Sequence, residues 1–116
     1  SGTFEVFNEK ALAGAKVDAT AQLLASNNAV VSAVSSTPGA IGYAGLGYVS
    51  DNVNVVMVNN VMPSETTTKD GSYPLARKLY MYTNGKAKGD VARFISFIQS
   101  VEGQTLVKDQ GFISLN

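Results

Sequence analysis

Val53-Asn54-Val55-Val56-Met57-Val58 reads as a strand and as little else, being β-branched, largely apolar and closed by Asn59-Asn60. A second apolar run, Ala40-Ile41-Gly42-Tyr43-Ala44-Gly45, reads as a buried strand whose glycines let a neighbouring element approach closely. A third segment, residues 73–83, alternates, with Leu75, Arg77, Leu79, Met81 and Thr83 on one face and Tyr80 and Tyr82 on the other. Pro74 marks an edge or an entry to it. Helical patterns separate these strands and hairpin turns are few, so the predicted fold class is α/β, with the Ile41 and Val55 strands in one sheet covered by helices.

The helices follow from the 3.6-residue period. Phe4, Phe7 and Ala11 fall at i, i+3 and i+7 and predict an amphipathic helix that ends near Gly14. A second is predicted after Asp18, through Ala21, Leu24 and Ala25 to Ser26-Asn27-Asn28, and a short third over residues 29–34, before the Thr37-Pro38-Gly39 turn. Pro63-Ser64-Glu65 starts one helical turn, and Asn84-Gly85 makes a turn. Val91, Phe94, Ile95 and Ile98 form a stripe over residues 87–100, and residues 103–110 offer a shorter helix with Leu106 and Val107 inward, stopped by Gly111. Phe94, Ile98, Leu106, Val107 and Phe112 are expected in a cluster of their own. No internal repeat or low-complexity segment is present.

Composition narrows the chemistry. Nine Lys plus Arg balance nine Asp plus Glu, which leaves no field for steering onto nucleic acid or an anionic membrane. Lys86, Lys88 and Arg93, with Asp90 among them, read as a solvated face. Histidine and cysteine are absent, so a Ser-His-Asp triad, a thiolate nucleophile, a thiolate or imidazole zinc site and a disulfide cannot be built within this chain. No catalytic residue, metal ligand or cofactor site is predicted. At 116 residues one domain at most is expected, and no apolar run approaches the roughly 20 residues of a membrane span. No basic-then-apolar signal peptide opens the sequence, as expected of a mature or truncated chain.

The chemistry concentrates in Ser1-Gly2-Thr3, which runs straight into Phe4-Glu5-Val6-Phe7. Two hydroxyls and a residue without Cβ stand where a helix begins. The first N–H groups of a helix have no intrahelical partner and the peptide dipoles place about half a positive charge there, so an oxyanion can be held without a lysine. The commoner use of Ser and Thr at such a place is a plain N-cap, and on these three residues alone the cap is the expected role. Tyr43 and Tyr48 could touch a ligand, although an aromatic beside strand glycines is more often packing.

Four groups of residues then occur in order. They are Ser1-Gly2-Thr3 with Phe7, the run from Ser36 to Tyr43 with Gly47-Tyr48, the run from Asp70 to Leu75 with Arg77, Leu79-Tyr80 and Tyr82-Thr83, and Phe94-Ile95, Phe97, Ser100, Glu102-Gly103-Gln104 and Gly111-Phe112-Ile113. Together, across nearly all of the chain, they resemble the C-terminal half of a phosphate-binding protein of the ABC-transporter (PstS-like) family. The resemblance implies part of a two-lobed type II periplasmic-binding-protein fold, sheets flanked by helices, that closes on inorganic phosphate and delivers it to a membrane permease. Residues 1–72 would belong to the second, central lobe with the anion-binding helix start, and residues 73–116 would be the crossover strand and helices returning to the first lobe. Phosphate would be held by Ser1, Gly2 and Thr3.

Departures accompany the match. The family's arginine four residues before the triplet, and further ligands from an N-terminal half, lie outside this sequence. Ala76, Lys78 and Ser114 stand where the family often has Ser, Pro and Pro, which bears on the crossing and the tail. The implied partners are inorganic phosphate, the missing N-terminal half and the permease, with an extracytoplasmic location and no nucleic acid. Two other functions stand beside it: a structural or interaction fragment whose anion corner is only a cap, and a Ser/Thr-dependent phosphatase, which would need a base that spacing alone does not supply.

Overall fold

The computed structural model describes residues 1–116, which fall into two compact units, Ser1–Ala76 and Arg77–Asn116. Five α-helices and one 3₁₀ turn are formed. In the first unit these are α1 (Gly2–Lys10), α2 (Asn27–Ser36), the 3₁₀ turn Leu46–Tyr48 and α3 (Glu65–Lys69); in the second, α4 (Gly89–Gln99) and α5 (Val101–Asp109). No helix is long and apolar enough to cross a membrane.

Side-chain caps set most of these boundaries. The Ser26 hydroxyl accepts from Ala29 N–H at 3.1 Å and opens α2. Ser64 opens α3 through a capping box with Thr67, whose hydroxyl accepts from Ser64 N–H at 2.9 Å while Ser64 Oγ accepts from Thr67 N–H at 3.1 Å. Ser100 serves two helices at once. Its hydroxyl donates to Phe97 O at 2.6 Å, closing α4, and accepts from Gly103 N–H at 3.2 Å, opening α5.

The helix predicted after Asp18 does not form. Asp18 Oδ1 accepts from Thr20 N–H at 2.8 Å and from the Thr20 hydroxyl, and Ala21 N–H donates to Asp18 O, so an aspartate expected to cap a helix closes a local turn instead. Helical structure resumes only at Asn27, and Leu24, expected on an inner face, is 41% exposed. The predicted α1 was also too long: Ala13 and Gly14 both take positive φ, and the helix stops at Lys10.

The predicted sheet is the larger correction. Residues 40–45, 53–57 and 73–83 enter no β-ladder, and the one β pairing is an isolated antiparallel bridge between Val58 and Val61. That bridge is a tight turn in which both N–H···O bonds are 3.0 Å and Asn59 and Asn60 sit at φ 51° and 62°, as a type I′ turn requires. Parallel strands of an α/β layer pair with strands remote in sequence, and the apolar content of residues 53–58 suits a strand covered on both faces. Neither neighbour pairs with it here, and Val55, Val56 and Met57 are 36%, 62% and 54% exposed.

Within the first unit, residues 41–45 are nevertheless gripped. A Cβ built on Gly42 would lie 2.8 Å from Val30 Cγ1 and 3.0 Å from Val34 Cγ2, so only glycine lets this segment press so closely on α2. Gly45 N–H donates to Asn27 Oδ1 at 3.1 Å. In the second unit α4 packs on α5, and a Cβ on Gly103 would come within 2.5 Å of Ile98 O.

No apolar side chain is fully buried. The second cluster expected from sequence is open, with Phe94, Leu106 and Phe112 exposed. The accessible surface is 8944 Å², whereas two separate folded bodies of the sizes of these units would together expose about 7,200 Å². Contact between the units only lowers this total, so the excess lies within the units themselves.

Candidate functional site

Ser1 is the N-cap of α1, and its Oγ accepts from Phe4 N–H at 3.3 Å, long for such a bond. Glu5 N–H donates to Ser1 O at 3.0 Å and begins the intrahelical ladder. The N–H groups of Gly2 and Thr3 precede that ladder and have no acceptor within it. The cap uses a lone pair of the Ser1 oxygen, which leaves the hydroxyl proton available to a second acceptor. Capping and anion binding are thus compatible at this helix start: one hydroxyl proton and two backbone N–H groups remain, at the positive end of a nine-residue helix. Thr3, half-buried, adds a second hydroxyl.

The body of α1 is fastened at three points within its unit. The Phe7 ring stacks on Tyr43 with centroids 4.1 Å apart and planes at 13°, so Tyr43 serves as packing here. Asn8 Nδ2 donates to Ala15 O at 2.9 Å and holds the chain as it leaves the helix. Lys10 Nζ donates to Ala76 O at 2.6 Å. Phe7 and Tyr43 both belong to the family-like motifs, but no period in the sequence announces that they meet, and no sequence pattern marks Lys10.

The basic residues of the second unit behave as a solvated face. Arg93 pairs with Asp90 at 3.4 Å with both side chains 85% or more exposed, and Lys86 and Lys88 border an open hollow of about 320 Å³ with Tyr82, Thr83, Asn84, Ala87 and Val91. Among titratable groups, hydrogen bonds from the Ser72 hydroxyl and backbone N–H hold the Asp70 carboxyl below its usual range, Thr20 does the same for Asp18, and partial burial pushes the Tyr73 phenol up. None of these belongs to the triplet.

Residues 1–102 match the family model of the PBP superfamily domain. The phosphate-binding protein PstS of Borreliella burgdorferi is 37% identical over 95 residues, covering 78% of this chain and 34% of that protein. PstS of Bacillus subtilis is 35% identical over 115 residues, covering 97% of this chain and 38% of that protein. Among solved structures, a phosphate-binding protein of a phosphate ABC transporter from Streptococcus pneumoniae superposes with a TM-score of 0.80 at 31% identity, over all of this chain and 48% of that one. The chain thus spans little more than a third of the length of the curated relatives it matches.

Proposed function

The chain belongs to the PBP superfamily, and from that membership we propose that it is part of an extracytoplasmic solute-binding protein that holds inorganic phosphate at Ser1, Gly2 and Thr3 for an ABC importer. The observation that carries this reading is the donor set at the start of α1, where the Gly2 and Thr3 N–H groups and the Ser1 hydroxyl proton lack intrahelical acceptors. Relatives named as phosphate-binding proteins support it. Charge-assisted hydrogen bonds of fixed geometry can hold a dehydrated oxyanion without a matching net charge, which suits a balanced chain. No bond is made or broken, and no cofactor is needed.

In this reading residues 1–72 belong to the central lobe, and residues 73–116 carry the crossover strand and the helices that return to the first lobe. The rest of the longer polypeptide supplies strands beside residues 40–45 and 53–58 and covers Val91 and Phe94 of α4 and Val101 at the start of α5, which are 53%, 61% and 75% exposed. The surface left open beyond that of two closed bodies, about 1,700 Å², exceeds the roughly 800 Å² that one partner contributes to a standard interface. The membrane permease is the further partner.

The test is titration calorimetry of the full-length protein with phosphate. Thr3→Ala is expected to weaken binding by about 1.5–3 kcal/mol, the range for a hydrogen bond to a charged group, or roughly ten- to a hundredfold. Unchanged affinity would remove the triplet from the site.

A further inference from the structure

Lys10 ends α1, and a lysine in a last turn ordinarily serves the last carbonyls of its own helix. This one donates instead to Ala76 O, 66 positions along the chain. Ala76 is the last residue of the first unit, so the bond is made where the chain leaves that unit. The two ends of α1 therefore have different duties: its start carries the anion triplet, and its end grips the exit segment. Nine helical residues span only about 13 Å with a continuous hydrogen-bond ladder, so a shift or an ordering at one end is felt at the other. Stacking of Phe7 on Tyr43 fixes the middle of the helix and makes it a lever seated on its own unit.

We propose that Lys10 is a positioning residue which couples anion binding at Ser1-Gly2-Thr3 to the exit segment at Ala76. The inference rests on the phosphate reading above. An anion held at the start further restrains α1, whose lysine already rests against the carbonyl, and the exit segment becomes less free to move. Linkage makes the effect reciprocal: whatever factor phosphate adds to the Lys10 bond, that bond adds to phosphate affinity. Both lysine and arginine can donate to a carbonyl from this distance along the chain, whereas methionine keeps the length of the stem and loses the donor.

The experiment combines phosphate titration with amide hydrogen exchange in the full-length protein. For the wild-type protein, saturating phosphate should slow exchange at Leu75, Ala76 and Arg77 at least fivefold. In Lys10→Met that slowing should disappear and phosphate affinity should fall by about the same factor, while Lys10→Arg restores both and the exposed control Lys16→Met changes neither. A wild-type protein that binds no phosphate defeats the function proposed above. A wild-type protein that binds phosphate, with slowing at residues 75–77 retained in Lys10→Met, defeats the coupling alone. A loss of affinity in Lys10→Met that Lys10→Arg does not recover also overturns it, since the donor would then not be what matters.

Discussion

Gln104→Met removes the one buried polar side chain at nearly constant volume. Gln104 is 5% exposed, and both ends of its amide are used: Nε2 donates to Ile98 O at 2.8 Å and Oε1 accepts from Leu115 N–H at 2.7 Å. The first bond satisfies a carbonyl in the last turn of α4, and the second ties the segment after Gly111 back to the α4–α5 corner. Methionine fills the space and serves neither group. A buried donor or acceptor left unsatisfied costs about 1–3 kcal/mol, and Leu115, 71% exposed, can turn partly to water, so the expected loss is about 2–4 kcal/mol. With a urea slope near 2 kcal/mol/M, the unfolding midpoint should fall by about 1–2 M, without change of slope. Amide exchange at Leu115 should accelerate in the same variant. Gln110→Met, on the exposed end of the same helix, should stay within about 0.5 kcal/mol of wild type. A Gln104→Met protein with a wild-type midpoint and unchanged exchange at Leu115 would show that the amide holds nothing together.

Gly42→Ala should destabilise by about 1–3 kcal/mol, because its methyl would sit 2.8 Å from Val30 Cγ1, and Val30→Ala in the same chain should recover part of that loss in a thermal unfolding cycle. The Asp70 carboxyl should titrate in carbon NMR with a midpoint below the ordinary value near 3.9. Because its pKa is lowered on folding, its contribution is complete above that ordinary value and is lost as pH falls through the folded one, so the turn at residues 70–72 should loosen only in acid.

How far the sequence could be read depended on the range of the interactions that decide each element. The capped segments were legible: Ser64-Glu65 opens α3 as expected, Asn59-Asn60 and Asn84-Gly85 turn, and α4 lies within the segment marked by Val91, Phe94 and Ile98. Their causes are hydrogen bonds and dihedral preferences within a few residues. Asp18 shows the limit of that reasoning, since the same carboxylate can cap a helix or close a turn on Thr20, and the apolar spacing of Ala21, Leu24 and Ala25 was too weak to tip the balance. The strands were legible as propensity and not as pairing. Val53 to Val58 has the residues of a covered strand, but a ladder is a property of two segments, and no second segment pairs with residues 53–57 here.

The candidate site divides along the same line. Ser1, Gly2 and Thr3 were visible because a helix start leaves donors over wherever it occurs, and the open question from sequence, cap or anion seat, turned on atoms rather than on residues. At 3.3 Å the Ser1 cap engages one lone pair of an oxygen whose proton, with the Gly2 and Thr3 N–H groups, still has no intrahelical acceptor. The two readings therefore cease to compete. What no local pattern could supply is what holds this helix start in place, namely a ring 36 residues away and a carbonyl 66 residues away. A donor set of modest individual strength becomes selective for an anion only when its geometry is fixed before the ligand arrives, because otherwise binding must also order the helix. On the proposed phosphate reading the long-range contacts of Phe7 and Lys10 therefore serve the seat together with the triplet, and a substitution at either should weaken phosphate binding without touching the anion.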